Sequence, residues 1–272
     1  MYNVTLNNGV KMPIFGLGVY KTLDMEEMLH AVDWALKAGY RSFDTAQMYK
    51  NEHLLGEALE RSGAAREEIF LTSKVDLGNT GYEKTKASFA ESLEKLRTDY
   101  LDLFLVHWPG QQKERLQETW KAMEELCAEG KIRAIGVCNC KPRHIGWLTE
   151  NGGTLPAVNQ IERHPLFNQQ QLVEWCQKQN IYVEAWAPLA RGNILLPEIQ
   201  ALAEKYKKTP AQIVLRWDIQ SNCITIPKSV HEQRIFENVD IFNFELAEED
   251  MRLLGGMDAG ESTGWDLETF DY

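Results

Sequence analysis

The sequence lacks an excess of positive charge and lacks a long apolar run. Its 272 residues include 29 Lys or Arg against 40 Asp or Glu, which gives a net charge of −11. A chain this acidic has no general attraction to nucleic acid or to an anionic membrane, so neither is an expected partner. No apolar stretch reaches the length of about 18 residues that a membrane helix needs, and residues 1 to 9 show no basic segment followed by an apolar one. We therefore expect a soluble, cytoplasmic protein.

Cysteines are few and odd in number. The five are Cys127, Cys138, Cys140, Cys176 and Cys223. A chain of this size does not need disulfides for stability, so reduced thiols are expected. Cys138 and Cys140 are one residue apart, and no second pair stands at zinc-finger spacing. We expect no metal site there.

Several ligand-binding motifs are also missing. Gly16-Leu17-Gly18 is followed by Val19-Tyr20-Lys21, without the third glycine of the Gly-x-Gly-x-x-Gly dinucleotide fingerprint. Neither a Gly-x-x-x-x-Gly-Lys-Ser/Thr loop nor a His-Glu-x-x-His pair occurs. The missing glycine counts against a doubly wound dinucleotide-binding sheet. The sequence also has no motif that supports a phosphate-binding or zinc-dependent hydrolase of the usual kinds.

Short apolar segments and amphipathic segments alternate along the chain. Runs rich in β-forming residues begin near residues 15, 40, 69, 101, 132, 157, 181 and 223. Apolar residues three and four apart predict helices between them, for example over Met25–Lys37, Tyr82–Leu96, Glu114–Cys127 and Gln169–Gln179. Eight such units predict a (β/α)8 TIM barrel, with residues 1–272 as a single domain. An Asn-Gly turn within residues 2–15 predicts an N-terminal β-hairpin that caps the barrel.

Four polar residues stand at the ends of consecutive predicted strands: Asp44, Tyr49, Lys74 and His107. Barrel enzymes carry their chemistry at these carboxyl ends. A phenol with a pKa of about 10 becomes a usable acid when an ammonium lowers that pKa, and a carboxylate can hold the ammonium in place. A histidine can donate a hydrogen bond to a carbonyl oxygen. Each residue alone has a structural explanation, such as a helix cap or a packed side chain, but the set predicts an active site.

The chain resembles the aldo-keto reductase superfamily from about residue 5 to residue 260. The matching stretches are Gly16-Leu17-Gly18, Gly39–Ala46 with Tyr49–Glu52, Leu103–Pro109, Val158–Glu162 with His164-Pro165, and Ile226–Ser229. In length it is similar to the bacterial and protozoan 2,5-diketogluconate reductase and prostaglandin F synthase type. The resemblance implies NADPH-dependent reduction of aldehydes and ketones. It makes Tyr49 the general acid, Lys74 the group that lowers its pKa, Asp44 the partner of the lysine, and His107 the residue that orients the carbonyl.

The resemblance also implies where NADPH/NADP+ binds. The residues assigned to the cofactor are Asp44, Cys138, Asn139, Gln160, Trp186, Leu189, Lys228, Ser229, Val230, Arg234 and Asn238. Cys138 departs from the serine of the family, which implies either a weaker hold on the nicotinamide amide or sensitivity to oxidation. Trp186 replaces the usual tyrosine that stacks on the ring. Lys228 and Arg234, near a helix start in an acidic chain, favour a 2′-phosphate and hence NADPH over NADH.

The implied substrate pocket is aromatic and apolar. It is formed by Tyr20, Met48, His107 and Trp108 beside Tyr49, with Trp265 of the tail as a further candidate wall. Apolar walls discriminate weakly, by about 1 to 3 kcal/mol per methylene, so a small carbonyl compound is expected without a named substrate. Two other functions stay open: an NADPH-binding regulatory subunit with little turnover, and an unrelated barrel lyase or isomerase that uses Lys74 as an amine. A monomer is expected.

Overall fold

The N-terminal hairpin is present. The computed structural model describes residues 2–150 and 152–264. Strands β1 (Asn3–Thr5) and β2 (Lys11–Pro13) pair antiparallel around the Asn-Gly turn. The amide of Asn7 donates to the Pro156 carbonyl and that of Asn8 to the Arg133 carbonyl, each over 2.9 Å. Both acceptors lie near the amino ends of barrel strands, so the hairpin caps the end opposite the predicted active site.

Within the described residues, the main sheet contains eight parallel strands in sequential order. They are β3 (Leu17–Gly18), β4 (Ser42–Asp44), β5 (Phe70–Val75), β6 (Leu101–Val106), β7 (Ile132–Cys138), β8 (Val158–Glu162), β9 (Tyr182–Trp186) and β10 (Ile224–Thr225). Parallel bridges from Phe15 to Thr225 and from Gly18 to Lys228 join the last strand to the first. The sheet therefore closes on itself, and the prediction of a (β/α)8 barrel is confirmed.

The helices lie between the strands as the periodicity predicted. They are α1 (Met25–Lys37), α2 (Glu52–Ser62), α3 (Tyr82–Leu96), α4 (Lys113–Ala128), α5 (Pro142–Thr149), α6 (Gln170–Lys178), α7 (Pro197–Tyr206), α8 (Pro210–Gln220), α9 (Glu232–Val239) and α10 (Glu248–Gly255). Two of the four helices predicted in detail match residue for residue, and the other two differ by one residue at each end. Within residues 2–150 and 152–264, no helix combines the length and apolarity needed to cross a bilayer.

Gly16 is needed where the barrel closes. Its amide donates to the Thr225 carbonyl over 3.1 Å, and a Cβ at this position would lie 2.9 Å from the Cβ of Ser42. A larger residue would push apart the chain segments that run into β3 and β4. The first glycine of the Gly16-Leu17-Gly18 stretch is thus explained by close packing of the backbone.

Candidate active site

The loop that carries Tyr49 is fixed on one side by Asn51. This side chain is fully buried, and its amide donates to the carbonyls of Val19 (2.8 Å) and Thr22 (3.0 Å). Its oxygen accepts a hydrogen bond from the Thr45 hydroxyl over 2.8 Å. Asn51 therefore ties the loop after β4 to the loop after β3.

Gln47 fixes the same loop on its other side. Its amide donates to the Ser88 carbonyl (3.1 Å) and the Ser92 hydroxyl (3.0 Å) of α3. Its carbonyl oxygen accepts from the Asp76 backbone N–H and from the Asn79 amide, each over 2.9 Å. All four polar contacts bind the loop after β4 to the unit that follows β5, so the position of Tyr49 is set by buried hydrogen bonds.

Lys74 is the centre of the site. Its Nζ lies 2.6 Å from Asp44 Oδ1, 2.9 Å from the Thr45 carbonyl and 3.3 Å from the Tyr49 hydroxyl. These contacts account for the three N–H donors of an ammonium. Burial is the largest single effect and would lower the pKa of Lys74, but the Asp44 carboxylate, together with Tyr49 and Cys138, outweighs it and raises the pKa above the ordinary value. Lys74 is therefore a buried cation with a permanent charge.

The two largest effects on the pKa of Tyr49 oppose each other. Burial raises the pKa of its phenol, and the ammonium of Lys74 lowers it; burial is the larger effect, so the pKa stands above the ordinary value. The expectation that Lys74 lowers this pKa thus describes one of the two contributions. The ring of Tyr49 lies edge-on to that of His107, with centroids 5.6 Å apart. Burial and the charge of Lys74 hold the pKa of His107 well below its usual range, so its imidazole is neutral.

The four predicted catalytic side chains meet at one point. Asp44 ends β4, Lys74 is the second-last residue of β5, and His107 directly follows β6. Tyr49 belongs to the short 3-10 helix that follows β4. A proton donor, a cation, an anion and a neutral imidazole therefore face the same end of the barrel.

The residues assigned to the nicotinamide amide also come together. Cys138 ends β7, Asn139 follows it with a φ of 58°, and Gln160 and Trp186 lie in β8 and β9. The indole N–H of Trp186 donates to Asn139 Oδ1 over 2.9 Å, and Cys138 Sγ contacts Gln160 Oε1 over 3.9 Å. Burial raises the pKa of the Cys138 thiol well above its usual range. A protonated thiol resists oxidation, which favours weak hydrogen bonding over redox sensitivity.

Glu184 of β9 is a buried acid that the sequence analysis missed. Gln160 Nε2 donates to Glu184 Oε2 over 2.7 Å and to Asp44 Oδ2 over 2.9 Å, so one amide links two carboxyl groups. Burial, and then the charge of Asp44, raise the pKa of Glu184 to about 8. The signal in the sequence was present, because Glu184 is the single charged residue in the β-forming run Tyr182–Trp186.

Most of the remaining residues assigned to the cofactor lie just before α9 or within it. Ser229 is buried, and its hydroxyl accepts from the His231 backbone N–H over 3.1 Å. Lys228 and Arg234 are exposed, Val230 is half-buried and Asn238 is buried; Leu189 is half-buried after β9. Two exposed cations therefore flank a helix N-terminus, where backbone N–H groups favour an anion.

Aromatic side chains lie next to the Tyr49 ring. The rings of Tyr20 and Tyr49 have centroids 4.8 Å apart, and those of His107 and Trp108 are 6.3 Å apart. Tyr20 is exposed, Trp108 is buried and Met48 is half-buried. These positions suit the walls of an open pocket. Trp265, the candidate wall from the tail, lies outside the described residues.

A second contact missed from the sequence holds the chain near its carboxyl end. Glu162, at the end of β8, accepts hydrogen bonds from the Ser262 hydroxyl (2.6 Å) and from the backbone N–H groups of Thr263 (2.7 Å) and Gly264 (3.2 Å). A Cβ at Gly264 would lie 2.7 Å from the indole of Trp186. The segment 262–264 is thus held against the tryptophan that was assigned to the nicotinamide.

A family model described as "Aldo/keto reductase family" matches residues 14–258. The chain belongs to this family. Glyoxal reductase of Bacillus subtilis (strain 168) is 49% identical over 262 residues, which cover 96% of this chain and 94% of that protein. The 9,11-endoperoxide prostaglandin H2 reductase of Trypanosoma cruzi (strain CL Brener) is 46% identical, with 99% and 96% covered.

Solved structures agree with this assignment. A mutant of the protein Gox0644, solved in complex with NADPH, superposes with a TM-score of 0.94 at 41% identity and covers 99% of this chain and 98% of that one. The resemblance predicted from the sequence motifs is therefore confirmed at the level of the family. The protein is an oxidoreductase of the aldo/keto reductase family.

Proposed function

We propose that this protein reduces small aldehydes and ketones, α-dicarbonyl compounds among them, to alcohols at the expense of NADPH. The observation that carries the proposal is the contact of one buried ammonium, Lys74 Nζ, with both Asp44 Oδ1 (2.6 Å) and the Tyr49 hydroxyl (3.3 Å). The relatives named as glyoxal reductase and as prostaglandin H2 reductase support a carbonyl or related oxygen substrate. A single domain over residues 1–272, a cytoplasmic location and a monomeric state are part of the proposal.

The side chains beside Tyr49 fit a nicotinamide cofactor. Asn139 and Gln160 offer amide groups suited to the nicotinamide carboxamide, and the indole of Trp186 offers a face for stacking. Lys228 and Arg234 would hold the 2′-phosphate at the start of α9. When bound, NADPH supplies the hydride that reduces the carbonyl carbon.

The proton comes from Tyr49. Its hydroxyl is protonated at neutral pH, because a phenol has an ordinary pKa of about 10 and burial raises it further. When the phenolic proton moves to the substrate oxygen, the charge left on Tyr49 Oη is stabilised by Lys74 Nζ, 3.3 Å away. Asp44 keeps that ammonium in position and compensates its charge.

His107 orients the substrate. Its neutral imidazole carries one N–H, which can donate to the carbonyl oxygen without adding a second cation beside Lys74. Its Nδ1 has no hydrogen-bond partner within the described part of the chain, so the ring is not committed to a structural bond there. Tyr20 lies beside the Tyr49 ring and Trp108 beside His107, so both would line the position of the substrate.

The structure gives little support to a lyase that uses Lys74 as a nucleophile. An amine attacks a carbonyl only when it is uncharged, and the pKa of Lys74 is raised, not lowered. All three of its donors are also engaged. A Schiff base at Lys74 would require breaking the ion pair with Asp44.

The regulatory alternative is tested by turnover. NADPH consumption is followed with glyoxal, methylglyoxal and a set of simple aldehydes, and the affinity for NADPH is measured separately by fluorescence quenching. Consumption of NADPH with formation of the alcohol supports the reductase. Tight binding of NADPH without turnover of any of these compounds favours the regulatory subunit, and absence of binding refutes the cofactor assignment.

A further inference from the structure

Glu184 is a buried carboxyl group for which the proposed proton transfer has no use. It is fully buried in β9, in register with Gln160 of β8 and Ile224 of β10. Its Oε2 accepts the hydrogen bond from Gln160, whereas its Oε1 has no hydrogen-bond partner among residues 2–150 and 152–264. A buried carboxyl oxygen without a partner costs free energy, so its presence beside the site calls for an explanation.

The connection from Glu184 to the site is short. The Gln160 amide is hydrogen-bonded to Glu184 and to Asp44 at once, over 2.7 and 2.9 Å, and Asp44 in turn holds Lys74. Gln160 is also the side chain proposed to bind the nicotinamide carboxamide. A change of charge on Glu184 therefore occurs one side chain away from the proposed position of the nicotinamide.

The titratable groups near Glu184 and Gln160 differ in the pH at which they titrate. The pKa values of Tyr49, Lys74 and Cys138 are raised, and that of His107 is held well below its usual range. Burial and the neighbouring Asp44 raise the pKa of Glu184 to about 8. Among these five groups, Glu184 alone changes charge between about pH 7 and about pH 9.

We propose that Glu184 is a positioning residue whose ionisation sets the relative affinity of this site for NADP+ and NADPH. This inference rests on the proposed function, in which Gln160 binds the nicotinamide. The nicotinamide ring of NADP+ carries a positive charge and that of NADPH does not. A carboxylate behind Gln160, in a water-poor barrel, attracts the charged ring and leaves the neutral one almost unaffected. Deprotonation of Glu184 thus strengthens the binding of NADP+ selectively.

Linkage gives a second consequence. If ionised Glu184 favours NADP+, then NADP+ must favour ionised Glu184, so its binding lowers the pKa of this carboxyl group and releases a proton to solvent. NADPH binding releases no such proton. When NADPH replaces bound NADP+, the site takes this proton up again.

The test compares the dissociation constants of both cofactors from about pH 6 to about pH 9.5, at constant ionic strength, by fluorescence quenching. Both cofactors carry the same 2′-phosphate, so its titration cancels in the ratio of the two constants. For the wild type, we expect the preference for NADP+ to rise on the order of tenfold between about pH 7 and about pH 9. For Glu184→Gln, the ratio should not change with pH.

Glu52→Gln is the matched control. Glu52 is also a buried carboxyl group with a raised pKa, caused chiefly by burial, but it accepts its hydrogen bond from Ser73 (2.6 Å) and does not contact Gln160. This variant should keep the pH dependence of the wild type. The inference is overturned if the wild-type ratio is flat, or if the ratio in Glu184→Gln follows the wild-type curve. In both cases the two cofactors still bind, so the proposed function survives.

Calorimetry of the wild type gives a test that needs no variant. NADP+ and NADPH are titrated at about pH 8 in two buffers that differ in ionisation enthalpy, which reports the protons released on binding. We expect a fraction of a proton released with NADP+ and none with NADPH. Equal release with both cofactors would overturn the role of Glu184, and failure of both to bind would overturn the cofactor assignment together with this inference.

Discussion

Lys74 Nζ lies 2.6 Å from Asp44 Oδ1, and their side chains are 0% and 3% exposed. Removing one partner of an ion pair this deeply buried destabilises the protein, because the remaining charge has neither water nor a counter-charge around it. The pair also holds the ammonium within 3.3 Å of the Tyr49 hydroxyl. Stability and the proposed chemistry therefore depend on the same contact.

Asp44→Asn should destabilise the protein strongly. The substitution leaves Lys74 buried without its counter-charge, which typically costs about 3 to 5 kcal/mol. Urea unfolding at neutral pH measures the loss. Asp33→Asn is the control, because Asp33 pairs with Lys37 at 2.7 Å on the exposed face of α1, and such surface pairs contribute less than about 1 kcal/mol. Equal losses in the two variants would contradict this account.

Glu184→Gln should alter how stability depends on pH. In the wild type the folded state keeps the Glu184 proton up to about pH 8, whereas the unfolded chain loses it near its ordinary pKa of about 4.3. The contribution of Glu184 to the free energy of unfolding therefore falls by about 1.4 kcal/mol per pH unit within that interval and levels off above it. The glutamine variant lacks this loss, so its thermal midpoint should exceed that of the wild type most clearly at about pH 9. An unchanged pH profile would show that Glu184 ionises normally.

The double variant Lys228→Ala, Arg234→Ala should lose preference for NADPH over NADH. Hydrogen bonds to charged groups contribute about 1.5 to 3 kcal/mol each, so the ratio of catalytic efficiencies should fall at least about tenfold. NADH efficiency should stay close to that of the wild type. Lys11→Ala, on the exposed hairpin at the other end of the barrel, removes a positive charge without approaching α9. A ratio that stays unchanged in the double variant would place the 2′-phosphate elsewhere.

Glu162→Gln should release the segment 262–264. Burial would raise the pKa of Glu162, but hydrogen bonds from His164, Ser262 and Thr263 outweigh it and lower the pKa to about 2. The contact of the Glu162 carboxylate with the segment is therefore fully present at pH values above about 4.3, the pKa of the unfolded chain. It is lost only as the pH falls toward 2. Hydrogen exchange at the Thr263 and Gly264 amides should be faster in the variant at neutral pH. Glu261→Gln, an exposed neighbour, should exchange like the wild type, and equal protection in all three proteins would rule out the contact.

The positions of the helices and the polar residues at the strand ends could be predicted from the sequence. The 3.6-residue periodicity of Met25–Lys37 was sufficient to place α1, and the polar residue at the end of each strand was sufficient to bring Asp44 and His107 to one face. Contacts between residues that are far apart in the sequence could not be predicted from it. Gln160 meets both Asp44 and Glu184 only because β4, β8 and β9 surround one interior.

The direction of the pKa shift of Tyr49 could not be predicted from the sequence for a related reason. The presence of Lys74 predicts a lower pKa, but the opposing effect is burial, and burial depends on everything that packs around the phenol. The contact of Gly264 with Trp186 is similar, because no local pattern links the end of the chain to β9.

The central claim is that Tyr49 donates the proton, and Tyr49→Phe tests it most directly. NADPH affinity and NADPH consumption with glyoxal are measured for the wild type, for this variant and for Tyr100→Phe. Tyr100 is a suitable control because its ring lies 4.0 Å from the Arg66 guanidinium, before β6 and away from the site. The account predicts that Tyr49→Phe binds NADPH as the wild type does but turns over about 10² to 10⁴ times more slowly, with Tyr100→Phe unaffected. A folded Tyr49→Phe protein that turns over within about tenfold of the wild type would contradict the account, because general acids contribute more than that.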